Sequence, residues 1–372
     1  MSLFRPSRNR VLTIIKTLRP SRRWGGGRVS RRSALLGVLA LTTIAAIAAC
    51  GGQGPGDNQA SGKKVELTLV SYAVTQAAYE QIIPKFAAAW KEKTGQEVVF
   101  NQSYGGSGSQ TRAILDGLEA DVAALALAGD TKKLQEGGLI QPGWEKQAPN
   151  NAIVHKSVAV LVVRKDNPKN IKGWDDLARN DVSVVTANPK TSGGAKWNFL
   201  AAWGYRTQTG KSEAEALDFV TKIYKNVPVL PKDAREATDV FYTRGQGDVL
   251  INYENEVLLA GQKGEGQPFI IPDVNISIDN PVAVVDTNVD KHGTREVAEA
   301  FVKFLFTPEA QREFAKVGFR PVDATVTQEF TQQFPKVKTL FTVTDLGGWS
   351  EINKKFFADG AIFDQIQAKV GK

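Results

Sequence analysis

The chain is 372 residues long, with one cysteine, two histidines and a formal net charge of +8 at neutral pH. A lone cysteine excludes internal disulfides and thiolate metal clusters. The positive charge sits at one end: residues 1–49 hold ten basic residues and no acid, and taking those ten from +8 leaves −2 for the rest. Nothing here favours nucleic acid, which would need a basic face on the folded part.

In the first fifty residues, Ser30-Arg31-Arg32-Ser33 precedes an apolar run, Ala34 to Ala46, which ends in Ile47-Ala48-Ala49-Cys50. Basic, then apolar, then small residues is the order of an export signal. The apolar run is short of the roughly 20 residues of a spanning helix, so a transmembrane anchor is the lesser reading. Residues 1–49 are expected to be a lipoprotein-type signal peptide, cut before Cys50, whose thiol is then acylated. The twin arginines leave the export route open. Residues 50–64, rich in Gly, Ser and Gln, read as a flexible tether.

Val65 to Val70 alternates as a strand does. From Thr75 to about Trp90, Ala78, Ile82, Phe86 and Trp90 recur four apart, which predicts a helix. Pro84 should kink it or mark its true start, and Gly95 should cap its end. Glu97 to Phe100 reads as a second strand. Gly105-Gly106-Ser107-Gly108 leads into a helix through Leu118, and Val122 to Ala128 is apolar enough for a buried parallel strand.

A second set follows. Strands are expected at Val158–Val163, Val182–Thr186, Asp248–Asn252 and Val282–Val285. Helices are expected at Trp174–Leu177, after Asn188-Pro-Lys-Thr-Ser-Gly-Gly as far as Trp203, and at Leu217–Tyr224, Asp233–Tyr242, Thr294–Leu305 and Pro308–Val317. Alternating strands and helices predict an α/β fold with right-handed crossovers. The second half looks inserted into the first, with a hinge near residues 157 and 282. The expected division is 65–157 plus 283–325 for lobe I, 158–282 for lobe II and a C-terminal helical extension at 326–372.

Three loops put a small residue or hydroxyl where a helix starts: Thr75, Ser107 and Ser192-Gly193-Gly194. Ala234, before Arg235, is a weaker fourth. A helix start leaves N–H groups without partners and carries about half a positive charge, and glycine lets a ligand approach the backbone. Such starts bind anions and gather at the carboxyl edge of an open sheet. Ordinary helix capping explains any one of them equally well. The residues alone therefore reach no further than a candidate anion binder.

Longer stretches carry a resemblance. They are Val70-Ser-Tyr72, Gln102-Ser-Tyr-Gly-Gly-Ser-Gly108, Asn188-Pro-Lys-Thr-Ser-Gly-Gly-Ala-Lys-Trp-Asn198, Arg244-Gly-Gln-Gly-Asp-Val-Leu250, Glu254-Asn-Glu256, Pro308-Glu-Ala-Gln311, Phe319-Arg-Pro321 and Gly347-Gly-Trp349. Across residues 65–368 the chain resembles the bacterial sulfate-binding proteins of ABC importers. The resemblance implies a two-lobed type II periplasmic binding protein fold with the oxyanion dehydrated in the cleft between the lobes. It implies hydroxyl donors from Ser107 and Ser192, and N–H donors from Gly193, Gly194, Ala234 and Ala73. The family usually has Asp at the last of these. Tyr253 stands where the family uses a Trp indole, which leaves that contact open. Lys196 and Arg235 are expected to pair with carboxylates behind the site.

The implied partners are sulfate and ABC permease subunits, with a periplasmic, lipid-anchored, monomeric protein and no cofactor or metal. Thiosulfate, molybdate and phosphate are alternative ligands. Sulfate is a fully ionised acceptor, suited to a donor-only site, whereas phosphate retains a proton and wants an acceptor; an unpaired buried carboxylate facing sulfate would be costly. The rival of another class is a secreted serine hydrolase using Ser107 or Ser192 with His155 or His292. Neither serine has the Gly-x-Ser-x-Gly elbow, both histidines read as surface residues, and no enzyme is expected. Asp175, Asp176, Glu254 and Glu256 read as solvated or hinge-facing.

Overall fold

The computed structural model describes residues 64–371. Cys50, the leader and nearly all of the tether lie outside the described residues. Among the described residues, no helix is long and apolar enough to cross a membrane.

The chain opens with β1 (Val65–Tyr72), a single 3-10 turn at Ala73–Thr75, α1 (Gln76–Thr94), β2 (Val98–Gly105), α2 (Ser107–Leu115), β3 (Val122–Ala124) and α3 (Ala128–Glu136). Then come β4 (Ile153–Ser157), β5 (Ala159–Val163), β6 (Val184–Val185), α4 (Gly193–Gln208), α5 (Glu213–Lys225), α6 (Ala234–Tyr242), β7 (Val249–Tyr253) and α7 (Glu254–Gln262). The last third holds β8 (Phe269–Ile270), β9 (Val274–Ile276), β10 (Ile278–Pro281), β11 (Ala283–Val284), α8 (Asp286–His292), α9 (Arg295–Phe304) and α10 (Pro308–Lys316). It closes with α11 (Ala324–Glu329), β12 (Thr339–Phe341), α12 (Gly348–Ile352) and α13 (Ile362–Val370).

Two four-stranded sheets result, in the orders β11-β3-β1-β2 and β6-β7-β5-β8. In the first, β1 runs parallel to both neighbours, and β11 closes the edge antiparallel to β3. The central strand is fully buried at Leu67, Leu69 and Val70, as a strand covered on both faces must be. The chain leaves this sheet through β4 into β5 and returns through β10 into β11. These two crossings pair antiparallel, with Ile278 opposite Ser157.

Several elements differ from the sequence reading. Pro84 neither breaks α1 nor starts it. It is on the exposed face, as is Glu80 one turn back, so the carbonyl that loses its partner faces water. Gly95 does end α1, in the left-handed conformation at φ 71°. The apolar run at 122–128 is a strand only to Ala124. Beyond it, backbone groups bond to side chains instead of a ladder: the Ala126 N–H donates to Ser107 Oγ at 3.0 Å, and its carbonyl accepts from Trp197 at 2.8 Å and Asn280 at 2.9 Å. Helices α3 and α7 were not foreseen. The first turn of α7 buries Glu254, Asn255 and Glu256, the reverse of an amphipathic pattern.

The segment after α11 is not purely helical, since β12 pairs parallel with β9. It packs onto α4 through Phe356, 4.8 Å from Trp203 by ring centres, and Phe357, 5.4 Å from Phe199. Trp349 meets Trp197 edge-on at 4.9 Å.

His155 corrects an expectation. It is 1 % exposed, on β4, enclosed by Phe319 at 4.1 Å, Phe314 at 4.7 Å and Tyr72 at 6.3 Å. Burial pulls its pKa from 6.5 down to about 3, against a smaller upward push from Asn280. Between these two values the unfolded chain holds a proton that the folded chain lacks, so stability falls as pH drops from 6.5 toward 3. This one group should contribute a slope of about 1.4 kcal/mol per pH unit. Urea unfolding at pH 7, 6 and 5 is expected to show the decline, and His155→Gln, which cannot titrate there, should flatten it.

Candidate functional site

The carboxyl ends of three strands and the starts of three helices meet at one place. Tyr72, Ala73 and Val74 come from the end of β1, Gly105, Gly106 and Ser107 from the turn between β2 and α2, and Ser192, Gly193 and Gly194 from the start of α4. Asp233 and Ala234 open α6, and Tyr253 ends β7. These residues line a cavity of about 10 Å³. Pockets for drug-sized ligands run to roughly 300–1,000 Å³, so the occupant is small.

Ser192 caps α4. Its Oγ accepts from the Ala195 N–H at 3.2 Å, and its own N–H donates to the Asn188 carbonyl at 2.8 Å. That leaves its O–H free to donate. Gly193 and Gly194 follow in the first turn, where N–H groups have no partner within the helix. Asp233 caps α6, its carboxylate accepting from the Glu236 N–H at 2.9 Å, so Ala234 holds the equivalent first-turn position. Gly106 is the corresponding cap of α2. Loops from the two sheets touch here. A Cβ on Gly193 would stand 2.6 Å from Ala126 Cβ, and one on Gly106 would stand 2.5 Å from the Thr191 carbonyl oxygen. Only glycine lets the two backbones come this close.

Ser107 lines the cavity but departs from its expected role. Its hydroxyl donates to Asp130 Oδ2 at 2.8 Å and accepts from the Ala126 N–H. Its proton is therefore committed, and what it offers the cavity is the first-turn N–H of α2.

Asp130 is the residue the sequence reading missed. It lies on α3, wholly buried, 3.4 Å from Lys196 Nζ on α4 and 3.6 Å from Lys133. Burial alone would raise its pKa, but Lys196, Lys133 and the Ser107 hydrogen bond outweigh it and hold the carboxyl below its ordinary value. Burial, offset only in part by Asp130, draws Lys196 down. Arg235 grips Glu256 with two hydrogen bonds, 3.0 and 2.8 Å, and Thr238 adds a third at 2.8 Å. Arg320 grips Glu254 in the same way, at 2.6 and 2.9 Å. Glu254 and Glu256 are thus buried rather than solvated, and burial raises both pKa values despite their arginines.

The Tyr253 ring is buried against Gly194, where an added Cβ would meet it at 2.6 Å. Neither serine meets an imidazole. His155 is caged in aromatic rings, and His292 bonds Asp121 and Glu119, each at 2.8 Å. Among the described residues no group of His, Cys, Asp and Glu is arranged to hold a metal.

The family of bacterial extracellular solute-binding proteins matches residues 67–320. The chain belongs to this family. The resemblance to sulfate-binding proteins read from the sequence also holds: the sulfate-binding protein of Synechococcus elongatus is 64 % identical over 343 residues, covering 92 % of this chain and 98 % of that one. The thiosulfate-binding protein of Pseudomonas aeruginosa is more distant, 40 % identical over 81 % of this chain and 91 % of its own. Among solved structures, the sulfate-binding protein SubI of Mycobacterium tuberculosis superposes with a TM-score of 0.73 at 37 % identity, covering 79 % of this chain and 99 % of that one.

This solute-binding protein thus has the two-lobed periplasmic binding fold and is not an enzyme. Its cavity lies at the carboxyl edges of β1, β2 and β7, where ligands sit in open α/β sheets.

The Asp130–Lys196 pair crosses from α3 to α4. Lys196→Met should leave a buried carboxylate with the Ser107 hydroxyl and the half-exposed Lys133 beside it, at a cost of about 3–5 kcal/mol. Denaturant unfolding should register that loss, and adding Asp130→Asn should recover most of it.

Proposed function

We propose that this protein binds sulfate between its two lobes in the periplasm and delivers it to the permease of an ABC importer. The observation that carries the reading is the convergence of helix starts on a small cavity whose neighbouring cations are already paired. Lys196 is bound to Asp130 and Arg235 to Glu256, so positive character in the cavity comes from backbone N–H groups and helix dipoles. An anion held this way needs its oxygens to accept only, which sulfate satisfies.

The donors we assign are the Ser192 hydroxyl, the N–H groups of Gly193, Gly194, Ala234, Ala73 and Ser107, and Tyr253. The Ala73 contact runs through backbone, so its side chain is immaterial. Thiosulfate is the second reading, weighed down by the greater distance of the thiosulfate-binding relative. Molybdate and phosphate follow. Residues 65–157 plus 283–325 form lobe I in this reading and 158–282 lobe II, with 326–372 docked on lobe II. The protein acts as a monomer tethered through acylated Cys50.

Calorimetry with the sulfate-free protein tests the site. Sulfate should bind and raise the melting temperature with the logarithm of its excess over the dissociation constant. Ser192→Ala should weaken binding by about 1.5–3 kcal/mol, or roughly 10- to 150-fold. A melting temperature indifferent to excess sulfate would remove the assignment.

The anchor is tested apart from the site. Cys50→Ala should leave the precursor uncleaved or release the protein from the membrane fraction, because stable anchoring takes more than one lipid chain. Processing and membrane association equal to the unaltered protein's would argue against acylation at Cys50.

A further inference from the structure

Two phenols face each other at the cavity. Tyr72 ends β1 in one lobe and Tyr253 ends β7 in the other, and their rings lie 6.0 Å apart, tilted by 46°. Both line the cavity. Tyr72 is 4 % exposed and Tyr253 1 %. Neither hydroxyl has a hydrogen-bond partner in the protein. Native proteins rarely leave buried polar atoms unpaired, and such a pair beside a ligand cavity points to the ligand. A carbon added to Gly194 would stand 3.2 Å from the Tyr253 hydroxyl oxygen, so this hydroxyl sits beside one of the proposed N–H donors.

These hydroxyls differ from the rest of the site. A backbone N–H only donates. The Ser192 oxygen already accepts from Ala195, and the Ser107 proton is given to Asp130. A phenol hydroxyl donates and accepts. Burial pushes both phenols well above their ordinary pKa, and for Tyr72 the nearness of Tyr253 adds to it. Both therefore remain neutral hydroxyls across the physiological range.

We infer that the Tyr72 and Tyr253 hydroxyls form a wall that reads whether the ligand carries a hydrogen. Toward a bare oxyanion each donates. Toward an oxyanion of the same charge bearing one hydrogen, one phenol turns to accept that hydrogen, and its own O–H goes to another ligand oxygen or to the second phenol. The ligand range then extends from sulfate to hydrogen-bearing tetrahedral oxyanions, with monohydrogen phosphate and arsenate as the probes. The inference rests on the sulfate reading of this cavity.

The test is calorimetry near pH 8, where sulfate and phosphate both carry two negative charges and only phosphate carries a hydrogen. The sulfate-free protein is titrated with sulfate, selenate, phosphate and arsenate, beside Tyr72→Phe, Tyr253→Phe and the double variant. The unaltered protein should bind all four, sulfate and selenate more tightly. Losing a hydroxyl deprives phosphate of its acceptor as well as a donor, so the sulfate-to-phosphate affinity ratio should rise about tenfold or more. Selenate should follow sulfate throughout. Unliganded melting temperatures within a few degrees of one another certify that the variants fold. Tight sulfate binding with no phosphate binding at millimolar concentration, or an unchanged ratio in every folded variant, overturns the proposal and leaves the sulfate reading standing. Failure of the unaltered protein to bind sulfate overturns that reading, and the proposal with it.

Discussion

The rest of the structure depends on one constraint: the first N–H groups of a helix have no partner inside the helix. Here α2, α4 and α6 all start at the same cavity, each after a strand or loop that arrives there. The sheets fix this arrangement, because β1, β2 and β7 end together at their carboxyl edges. Glycine makes it possible, because a side chain at Gly106 would strike Thr191 and one at Gly193 would strike Ala126. The caps Ser192 and Asp233 satisfy the N–H groups of Ala195 and Glu236 deeper in their helices. The outermost N–H groups keep no partner within their helices.

The charged side chains around the cavity follow from the same constraint. A cation in contact with the anion would have to be stripped of water with it, and the desolvation of two buried ions can consume what their attraction supplies. This protein pairs its cations elsewhere. Lys196 meets Asp130 and Arg235 meets Glu256. The first pair joins α3 to α4, and Asp130 also accepts a hydrogen bond from the Ser107 hydroxyl. One buried carboxylate therefore orients a cavity residue, neutralises a lysine and ties α3 to α4.

Much of this was legible in the sequence. Hydrophobic periodicity located β1, α1, α9 and α10, and the Gly-Gly-Ser and Ser-Gly-Gly runs marked the starts of α2 and α4. What escaped was decided by burial. Asp130 gave no local signal for its role, because the two partners that tie it to the cavity, Lys196 and Ser107, are 66 and 23 residues away in sequence. His155 read as a surface residue because Lys156 beside it is polar, yet alternation along β4 turns the two to opposite sides. Helix α7 was hidden by a first turn of acidic and amide residues that face inward. The bond from the Ser107 hydroxyl to Asp130 escaped for the same reason: a hydroxyl's partner depends on the element packed against it, and α3 was not visible as a helix.

A site built from fixed backbone donors discriminates by geometry and by counting hydrogens. Backbone N–H groups cannot turn round, so an oxyanion that brings its own hydrogen leaves it unpaired in a dry cavity, at the cost of a desolvated donor. Carboxylates cannot relieve this, because those near the cavity are committed: Asp130 to Ser107 and two lysines, Asp233 to the cap of α6. The groups on the cavity wall that can reverse roles are hydroxyls, and of these the Ser192 and Ser107 hydroxyls are already constrained by hydrogen bonds within the protein. Adaptability in an otherwise rigid site therefore falls to Tyr72 and Tyr253. They end strands of two different sheets, β1 and β7, and their rings stand 6.0 Å apart, so on this proposal the ligand's hydrogen is read where the carboxyl edges of the two sheets meet.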